Sequence, residues 1–235
     1  MIRIKIIASG KTEIAEIHKG QSLLAILRNR GYEVYAPCGG KGTCGKCTIT
    51  VTGEGEVVSC KYYPDKDAEV ILPREYEANI LVHQTDYLED IPFKQKTFLP
   101  SSSNIYGVAI DIGTTTIVLY FLNLVTGQVE KISSVLNPQR LYGADVITRI
   151  NYCQENENGL SELKGSVTGI INKELFSFIR KKGLEQESIE KIVVAGNTTM
   201  LHLLLGEDPV SIALAPFTPK FTDKQVIRGA ETGLN

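Results

Sequence analysis

Three cysteines lie within a stretch of ten residues that is also rich in glycine. The stretch reads Cys38-Gly39-Gly40-Lys41-Gly42-Thr43-Cys44-Gly45-Lys46-Cys47, and Cys60 follows after twelve intervening residues. Where thiols stay reduced, clustered cysteines more often hold a metal than form disulfides. This run constrains the fold more than any other feature, because one short loop has to bring several thiols together.

The glycines of this loop favour one kind of centre. Iron–sulfur clusters are held by cysteine thiolates, and a [2Fe–2S] centre needs four of them from a loop that wraps tightly around an anionic cluster. Glycines at 39, 40, 42 and 45 permit positive φ angles and let backbone N–H groups point at sulfur. Lys41 and Lys46 add positive charge beside a cluster that becomes more negative on reduction.

Two other uses of the cysteines remain open. Zinc prefers paired C-x2-C knuckles, and Cys44 with Cys47 forms the one such pair in the sequence. A disulfide scaffold is the second alternative, but it conflicts with the predicted cytoplasmic location. Cys153 stands alone in a predicted helix and is interpreted as a small, partly buried apolar residue.

The predicted location follows from the N-terminus and from the apolar runs. The chain begins Met1-Ile2-Arg3-Ile4-Lys5, which lacks the apolar core of a signal peptide. The longest apolar run, Ile117 to Leu122, is far shorter than the ~20 residues that a membrane-spanning helix needs. A net charge of −2 gives no reason to expect nucleic acid or an anionic membrane as a partner.

The 235 residues exceed the usual single-domain size of roughly 100–150, so two units are expected. Alternating Ile2, Ile4 and Ile6 predict a strand that forms a hairpin with a second strand near Glu13 to Ile17. A helix after Ser22, the cysteine loop and two short strands complete a small α+β unit over residues 1–75. Residues 76–104, which contain two prolines and three consecutive serines, are interpreted as a linker.

A new periodicity begins at Tyr106 and predicts a second unit over residues 105–235. Three strands in sequence are expected from Tyr106 to Ile112, Thr116 to Leu122 and Gln128 to Val135. They are followed by helical patterns at 143–152 and 161–182, a buried strand at 191–195 and a helix at 198–205.

The first turn of this second unit reads Asp111-Ile112-Gly113-Thr114-Thr115-Thr116. Such a turn offers backbone N–H groups and threonine hydroxyls to a phosphate, and a carboxylate at the strand end to hold hydrated Mg²⁺. It is not a Walker loop, since it lacks the G-x4-G-K-[ST] pattern. Glycine and threonine also make ordinary hairpin turns, so the motif alone leaves both interpretations open.

The two units together resemble a known family. The cysteine unit resembles β-grasp [2Fe–2S] ferredoxins, although its first cysteine gap holds five residues instead of four and its last interval is short. The strand order of the second unit resembles the ribonuclease-H-like lobes of the actin, sugar-kinase and Hsp70 superfamily. Residues 136–150 and 194–206 are similar to the corresponding stretches of the reductive activators of corrinoid proteins.

The resemblance implies a role for particular residues. The implied cluster ligands are Cys38, Cys44, Cys47 and Cys60. Asp111 would orient Mg²⁺, and Gly113, Thr114, Thr115 and Thr116 would contact the phosphates of ATP.

Asn137, Arg140 and Asp145 are candidates for the same cleft, although a surface salt bridge would explain the two charges equally well. Asn197 either faces the cleft or caps the following helix, and His202 is expected to be packed in that helix.

The implied function is ATP-dependent reductive activation, in which one electron from a low-potential donor reaches the oxidised cobalt of a corrinoid protein. No second acidic Gly-Thr turn occurs before Asn235, so we expect an N-terminal fragment that binds ATP poorly. Two alternatives stay open: a plain [2Fe–2S] electron carrier for an oxidoreductase with a non-catalytic second domain, and a kinase-like or chaperone-like ATPase with an accessory metal site.

Overall fold

The computed structural model describes residues 1–73 and 105–234. Contacts divide these residues into two units, one formed by 1–73 with 140–149 and the other by 105–139 with 150–234. The predicted linker at 76–104 lies outside the described residues. Within the described ranges, no helix is both long and apolar enough to span a bilayer.

The first unit is built on a five-stranded sheet in the order β2-β1-β5-β3-β4. Its strands are β1 (Ile2–Ala8), β2 (Lys11–Ile17), β3 (Thr48–Val51), β4 (Gly55–Val58) and β5 (Ala68–Ile71). The β1–β2 turn has positive φ at both Ser9 and Gly10, the geometry of a type I′ turn, which matches the twist of the paired strands. Strand β1 is antiparallel to β2 and parallel to β5, so the hairpin and the later strands share one sheet.

Helix α1 (Leu23–Asn29) covers one face of this sheet. It begins at Ser22, whose hydroxyl accepts a hydrogen bond from the N–H of Ala25 at 3.3 Å. Its buried side chains are Leu23, Leu24, Ile26 and Leu27, and they pack with the alternate isoleucines of β1. The predicted hairpin, helix and two later strands are confirmed, whereas β4 was absent from the prediction because its glycine and glutamate dilute the apolar alternation.

The second unit is built on a four-stranded sheet in the order β8-β7-β6-β9. Its strands are β6 (Tyr106–Ile112), β7 (Thr116–Asn123), β8 (Val129–Leu136) and β9 (Ile189–Gly196). The first three are antiparallel neighbours, and β9 runs parallel to β6. All four strands were predicted, with ends displaced by two residues at most. The strand at 191–195 was expected to be buried, but β9 is an edge strand whose residues are half-buried or exposed.

The helices of the second unit lie between β8 and β9 and after β9 along the chain. They are α2 (Val146–Glu155), α3 (Gly159–Lys182), α4 (Thr198–Leu205), α5 (Val210–Ala213) and α6 (Gly229–Thr232). Helix α3 buries one apolar stripe, which includes Leu163, Val167 and Phe178. The Phe178 ring stacks on Phe121 of β7 with centroids 4.3 Å apart, so the stripe covers the sheet.

Helix α2 begins three residues later than the sequence pattern suggested. A 3₁₀ turn (Pro138–Leu141) comes first, and the helix then starts after Asp145, whose carboxylate accepts a hydrogen bond from the Thr148 N–H at 2.8 Å. Residues 140–149 group with the first unit although they follow the third strand of the second. The division into 1–75, 76–104 and 105–235 stays a prediction.

Candidate metal centre and phosphate turn

The four thiols of the cysteine loop are arranged as two pairs. The Sγ atoms of Cys38 and Cys44 are 3.3 Å apart. Cys47 and Cys60, both buried, form the second pair through a hydrogen bond between their thiols. Among residues 1–73 and 105–234, no three His, Cys, Asp or Glu side chains converge as ligands on one metal ion. The thiols therefore present two two-ligand groups and no single four-ligand site.

The two pairs differ in the charge they favour. Burial opposes ionisation of Cys38, but hydrogen bonds from the Cys44 backbone and thiol and from Thr43 lower the pKa of the Cys38 thiol to about 6. Burial raises the pKa of the Cys60 thiol to about 11, and the hydrogen bond with Cys47 acts in the same direction. The exposed side of the loop thus already stabilises a negatively charged sulfur.

The glycines of the loop give it the curvature that the sequence predicted. All four have positive φ, between 66° and 89°. At Gly40 the φ of 89° disfavours any side chain, and a Cβ would also lie 2.9 Å from the Leu24 Cδ2 atom, which would have to shift. The predicted approach of N–H groups to sulfur is seen at Cys44, whose Sγ accepts from the Lys46 N–H at 3.5 Å.

Helix α1 and the cysteine segments hold each other in place through backbone hydrogen bonds. The Ser59 N–H donates to the Cys47 carbonyl at 2.9 Å, and the Leu24 N–H donates to the Ser59 carbonyl at 3.1 Å. The Leu23 N–H donates to the carbonyl of Tyr62 at 2.8 Å. The segment that carries Cys60 is therefore hydrogen-bonded both to helix α1 and to the backbone of Cys47.

Residues 140–149 contribute contacts that the sequence did not suggest. Within the first unit, the Ala144 N–H donates to the carbonyl of Pro37, the residue before Cys38, at 3.0 Å. The Arg140 guanidinium lies 5.7 Å from the centroid of the Tyr35 ring. Arg140 and Asp145 were candidates for the phosphate cleft, but Arg140 lies on the cysteine unit and Asp145 caps α2.

The predicted phosphate turn is a tight β6–β7 connection. The Gly113 N–H donates to the Thr116 carbonyl at 2.8 Å, which closes the turn. A Cβ at Gly113 would lie 2.8 Å from that same carbonyl oxygen, so only glycine fits. Asp111 is exposed near the end of β6, two residues before the turn. The structure thus brings together a carboxylate, a backbone turn and three threonines.

Two asparagines from later in the chain reach this turn. Asn197 caps α4, as its Oδ1 accepts from the Met200 N–H at 3.0 Å, and its Nδ2 lies 3.5 Å from the Thr114 hydroxyl. Asn137 is buried behind the turn and donates to the carbonyl of Gly113 at 2.8 Å. Neither contact could be read from the motif at 111–116, since both partners are distant in sequence.

His202 and Cys153 occupy structural positions. His202 is fully buried in α4, with Nδ1 2.7 Å from the Thr198 carbonyl and Nε2 accepting from the Lys220 N–H at 3.1 Å. Its predicted role as a packed helix residue is confirmed. Cys153 is half-buried in α2, and burial raises the pKa of its thiol to about 11, with the charge of Asp208 acting in the same direction.

Comparisons with known proteins match both units. Residues 6–72 match the 2Fe-2S iron-sulfur cluster binding domain, and residues 106–235 match a family described as the RACo middle region. The corrinoid activation enzyme RamQ of Eubacterium limosum is 26% identical over 84% of this chain and 45% of that protein. The chain therefore spans about half the length of the relatives that it matches.

A solved structure supports the same fold. It is described as a reductive activator for corrinoid, iron-sulfur protein, and it aligns with a TM-score of 0.55 at 24% identity. The alignment covers 99% of this chain and 53% of that one. The predicted fold class is thereby confirmed: an α+β unit that matches the 2Fe-2S domain, followed by an α/β region that matches the RACo middle region. The chain carries the family features of a [2Fe–2S] protein.

Proposed function

Because this chain belongs to the family of the RACo middle region, we propose that it takes part in the ATP-dependent reductive activation of a corrinoid protein. One observation carries the proposal. A 2Fe-2S domain and the RACo middle region occur in a single chain. A relative that aligns with 84% of this chain is named as a corrinoid activation enzyme, which supports the same proposal. That combination favours an activator over the plain electron-carrier alternative, in which residues 106–235 have no catalytic role.

The proposed cluster ligands are the two thiol pairs, with Cys38 and Cys44 on one iron and Cys47 and Cys60 on the other. The pairing supports this assignment, because a [2Fe–2S] centre takes four thiolates divided between two metal atoms. The positive-φ glycine loop and the N–H group aimed at the Cys44 sulfur fit an anionic group. When bound, the cluster supplies a one-electron redox centre.

The proposed nucleotide residues lie at the β6–β7 turn. Asp111 would hold hydrated Mg²⁺, and Gly113, Thr114, Thr115 and Thr116 would contact the phosphates of ATP. The exposed carboxylate beside a closed turn supports this role, since carboxylates and waters are the ligands that Mg²⁺ prefers. The electron for the cluster would come from a low-potential donor. The cluster ligands have to be reduced thiols, and this requirement supports a cytoplasmic location.

In this proposal ATP offsets an unfavourable free energy of electron transfer to cobalt. For a one-electron step, about 59 mV corresponds to a tenfold change in equilibrium, so an uphill gap of roughly 0.2 V costs about 4–5 kcal/mol. A nucleotide can offset that cost only through its different affinity for two states of the protein. Nucleotide binding at the β6–β7 turn is therefore expected to favour the state that delivers the electron to cobalt.

The test is electron delivery to cobalt. The full-length protein is purified anaerobically, reduced and mixed with a cobalt(II) corrinoid protein, and the cobalt(I) absorbance is followed with and without Mg–ATP. We expect cobalt(I) to appear, faster with Mg–ATP, and to be lost in Cys47→Ser. Asp111→Asn should remove only the ATP stimulation. A rate of cobalt(I) formation that changes neither with Mg–ATP nor in Asp111→Asn would favour the plain electron carrier.

A further inference from the structure

Two carbonyl groups of the β6–β7 turn point toward one residue, Asn137. The Asn137 Nδ2 donates to the carbonyl oxygen of Gly113 at 2.8 Å. The Asn137 backbone N–H donates to the carbonyl oxygen of Thr115, also at 2.8 Å. A single residue that directly follows β8 therefore contacts two of the four peptide groups in the turn.

These two hydrogen bonds decide which face of the turn is attractive to an anion. Carbonyl oxygens carry partial negative charge, and both are held on the Asn137 side. In a trans peptide the C=O and the following N–H point in opposite directions, so the Thr114 and Thr116 N–H groups are directed to the other face. Concave arrays of N–H groups of this kind attract phosphate. Rotation of either peptide would instead present an oxygen there.

The orientation of Asn137 is itself fixed. Its side chain is fully buried, and its Oδ1 accepts from the Gln139 N–H at 3.0 Å, which leaves Nδ2 to face Gly113. Gln139 is also fully buried, and its Nε2 donates to the Leu163 carbonyl of α3 at 3.0 Å. The support for the turn thus extends from the end of β8 into the longest helix of the second unit.

We propose that Asn137 is a positioning residue of the phosphate turn: without touching the ligand, it holds two carbonyl groups away from the face that receives phosphate. This rests on the proposed nucleotide role of Asp111 and the turn. It replaces the expectation that Asn137 lines the cleft, because the side chain is buried behind the turn.

The first test needs no nucleotide. Amide hydrogen exchange is measured at the N–H groups of Gly113 and residue 137, which donate to the carbonyls of Thr116 and Thr115. Wild type is compared with Asn137→Asp and Asn137→Ser. We expect exchange about tenfold faster or more, because each variant removes the donor to the Gly113 carbonyl. The Gly127 amide, which closes the β7–β8 turn by donating to Asn123 at 2.8 Å, should not change.

Asn172→Ser is the matched control, as the Asn172 Nδ2 also donates to a backbone carbonyl, that of Gly233, at 2.8 Å. Unchanged protection at Gly113 in folded Asn137 variants would overturn the inference. If neither variant folds, hydrogen exchange of the Asn137 side-chain amide protons is measured in the wild type instead. Slow exchange supports the inference, and exchange at the solvent rate overturns it.

The second test separates this inference from the proposed function. Mg–ATP affinity is compared in the full-length protein as wild type, Asp111→Asn, Asn137→Asp and Asn172→Ser. We expect about tenfold weaker binding or worse for the first two variants and wild-type binding for the control. Loss in Asp111→Asn but not in Asn137→Asp would overturn the positioning role alone. If wild type binds no Mg–ATP, the nucleotide proposal fails, and the exchange result alone decides what Asn137 does to the turn.

Discussion

The cysteine loop and the β6–β7 turn are both short and glycine-containing, but their chemistry has different sources. In the loop the functional atoms are the side chains themselves, four thiols in two pairs. In the turn they are mostly backbone groups, whose direction depends on Asn137 from another part of the chain. The glycines differ as well: Gly40 is required by positive φ, whereas Gly113 is required by the approach of the Thr116 carbonyl.

This difference determines what each site tolerates. A side-chain site fails when one ligand is lost. A backbone site has few side chains of its own to lose, so distant supporting residues matter more. Four predictions follow in order of decreasing expected effect: two change residues of the two sites, and two concern groups outside both sites for comparison.

The largest effect is expected for loss of one loop thiol. Cys47→Ser should abolish the cluster, because Cys47 is buried beside Cys60 and no other described cysteine replaces it in that pair. Iron and acid-labile sulfide content and the visible spectrum measure the result. Cys153→Ser is the control and should keep full content. Normal iron in Cys47→Ser would show that the pairs do not define the ligands.

The thiol of the second unit should be chemically inert by comparison. In cluster-loaded protein at pH 7, alkylation of Cys153 by iodoacetamide should be on the order of 100-fold slower than that of an unperturbed cysteine, since burial raises its pKa to about 11. The rate should keep rising through pH 10. Mass spectrometry of the alkylated peptide gives the rate, and a value like that of a small free thiol would contradict the burial argument.

Two glycine substitutions test the two sites against each other. Gly40→Ala and Gly113→Ala should each lower the free energy of unfolding by about 1–3 kcal/mol, the first through positive φ and the second through a backbone clash. Urea unfolding measures both. Gly40→Ala should reduce cluster content and leave Mg–ATP affinity unchanged, and Gly113→Ala should do the reverse.

Gly165→Ala in α3 is the control for both glycine changes. A Cβ there meets nothing within 4 Å, so helix propensity predicts a neutral or slightly stabilising effect. If both variants reduced cluster content equally, the two sites would not be separable in the way that their local contacts indicate.

The smallest effect concerns an ion pair that belongs to neither site. The hydrogen bond from Lys182 of α3 lowers the pKa of Glu130 on β8, with Asn123 contributing. Because the folded pKa of Glu130 is lowered, its stabilisation is present above the unfolded pKa of about 4.3 and is lost as pH falls through the lower folded value. Lys182→Met should therefore be less stable than wild type at pH 7, and the difference should shrink as the pH falls through the lowered pKa of Glu130. A difference that persists at low pH would indicate lost packing instead.

The sequence was most informative where side chains act locally. The cysteine spacing and its glycines predicted the loop, and the apolar alternation predicted every strand of the second sheet. The cap at Asn197 was one of two alternatives that the sequence offered, and it depends on Met200, three residues away. His202 was also expected to pack in its helix, where its Nδ1 contacts the Thr198 carbonyl.

What the sequence did not predict depends on contacts between distant residues. The support of the turn by Asn137 joins positions 24 residues apart, and no local pattern reports which carbonyl an amide will meet. The grouping of residues 140–149 with the first unit is a tertiary effect of the same kind. Strand β4 was missed because its short, partly exposed sequence carries little alternation.

The proposed redox role depends on two thiol pairs in this loop holding a two-iron centre, and metal analysis of anaerobically purified protein is the sharpest test. We predict about two iron and two acid-labile sulfide per chain, and one unpaired spin per chain after one-electron reduction. One zinc per chain with no labile sulfide and no colour would contradict the two-iron assignment.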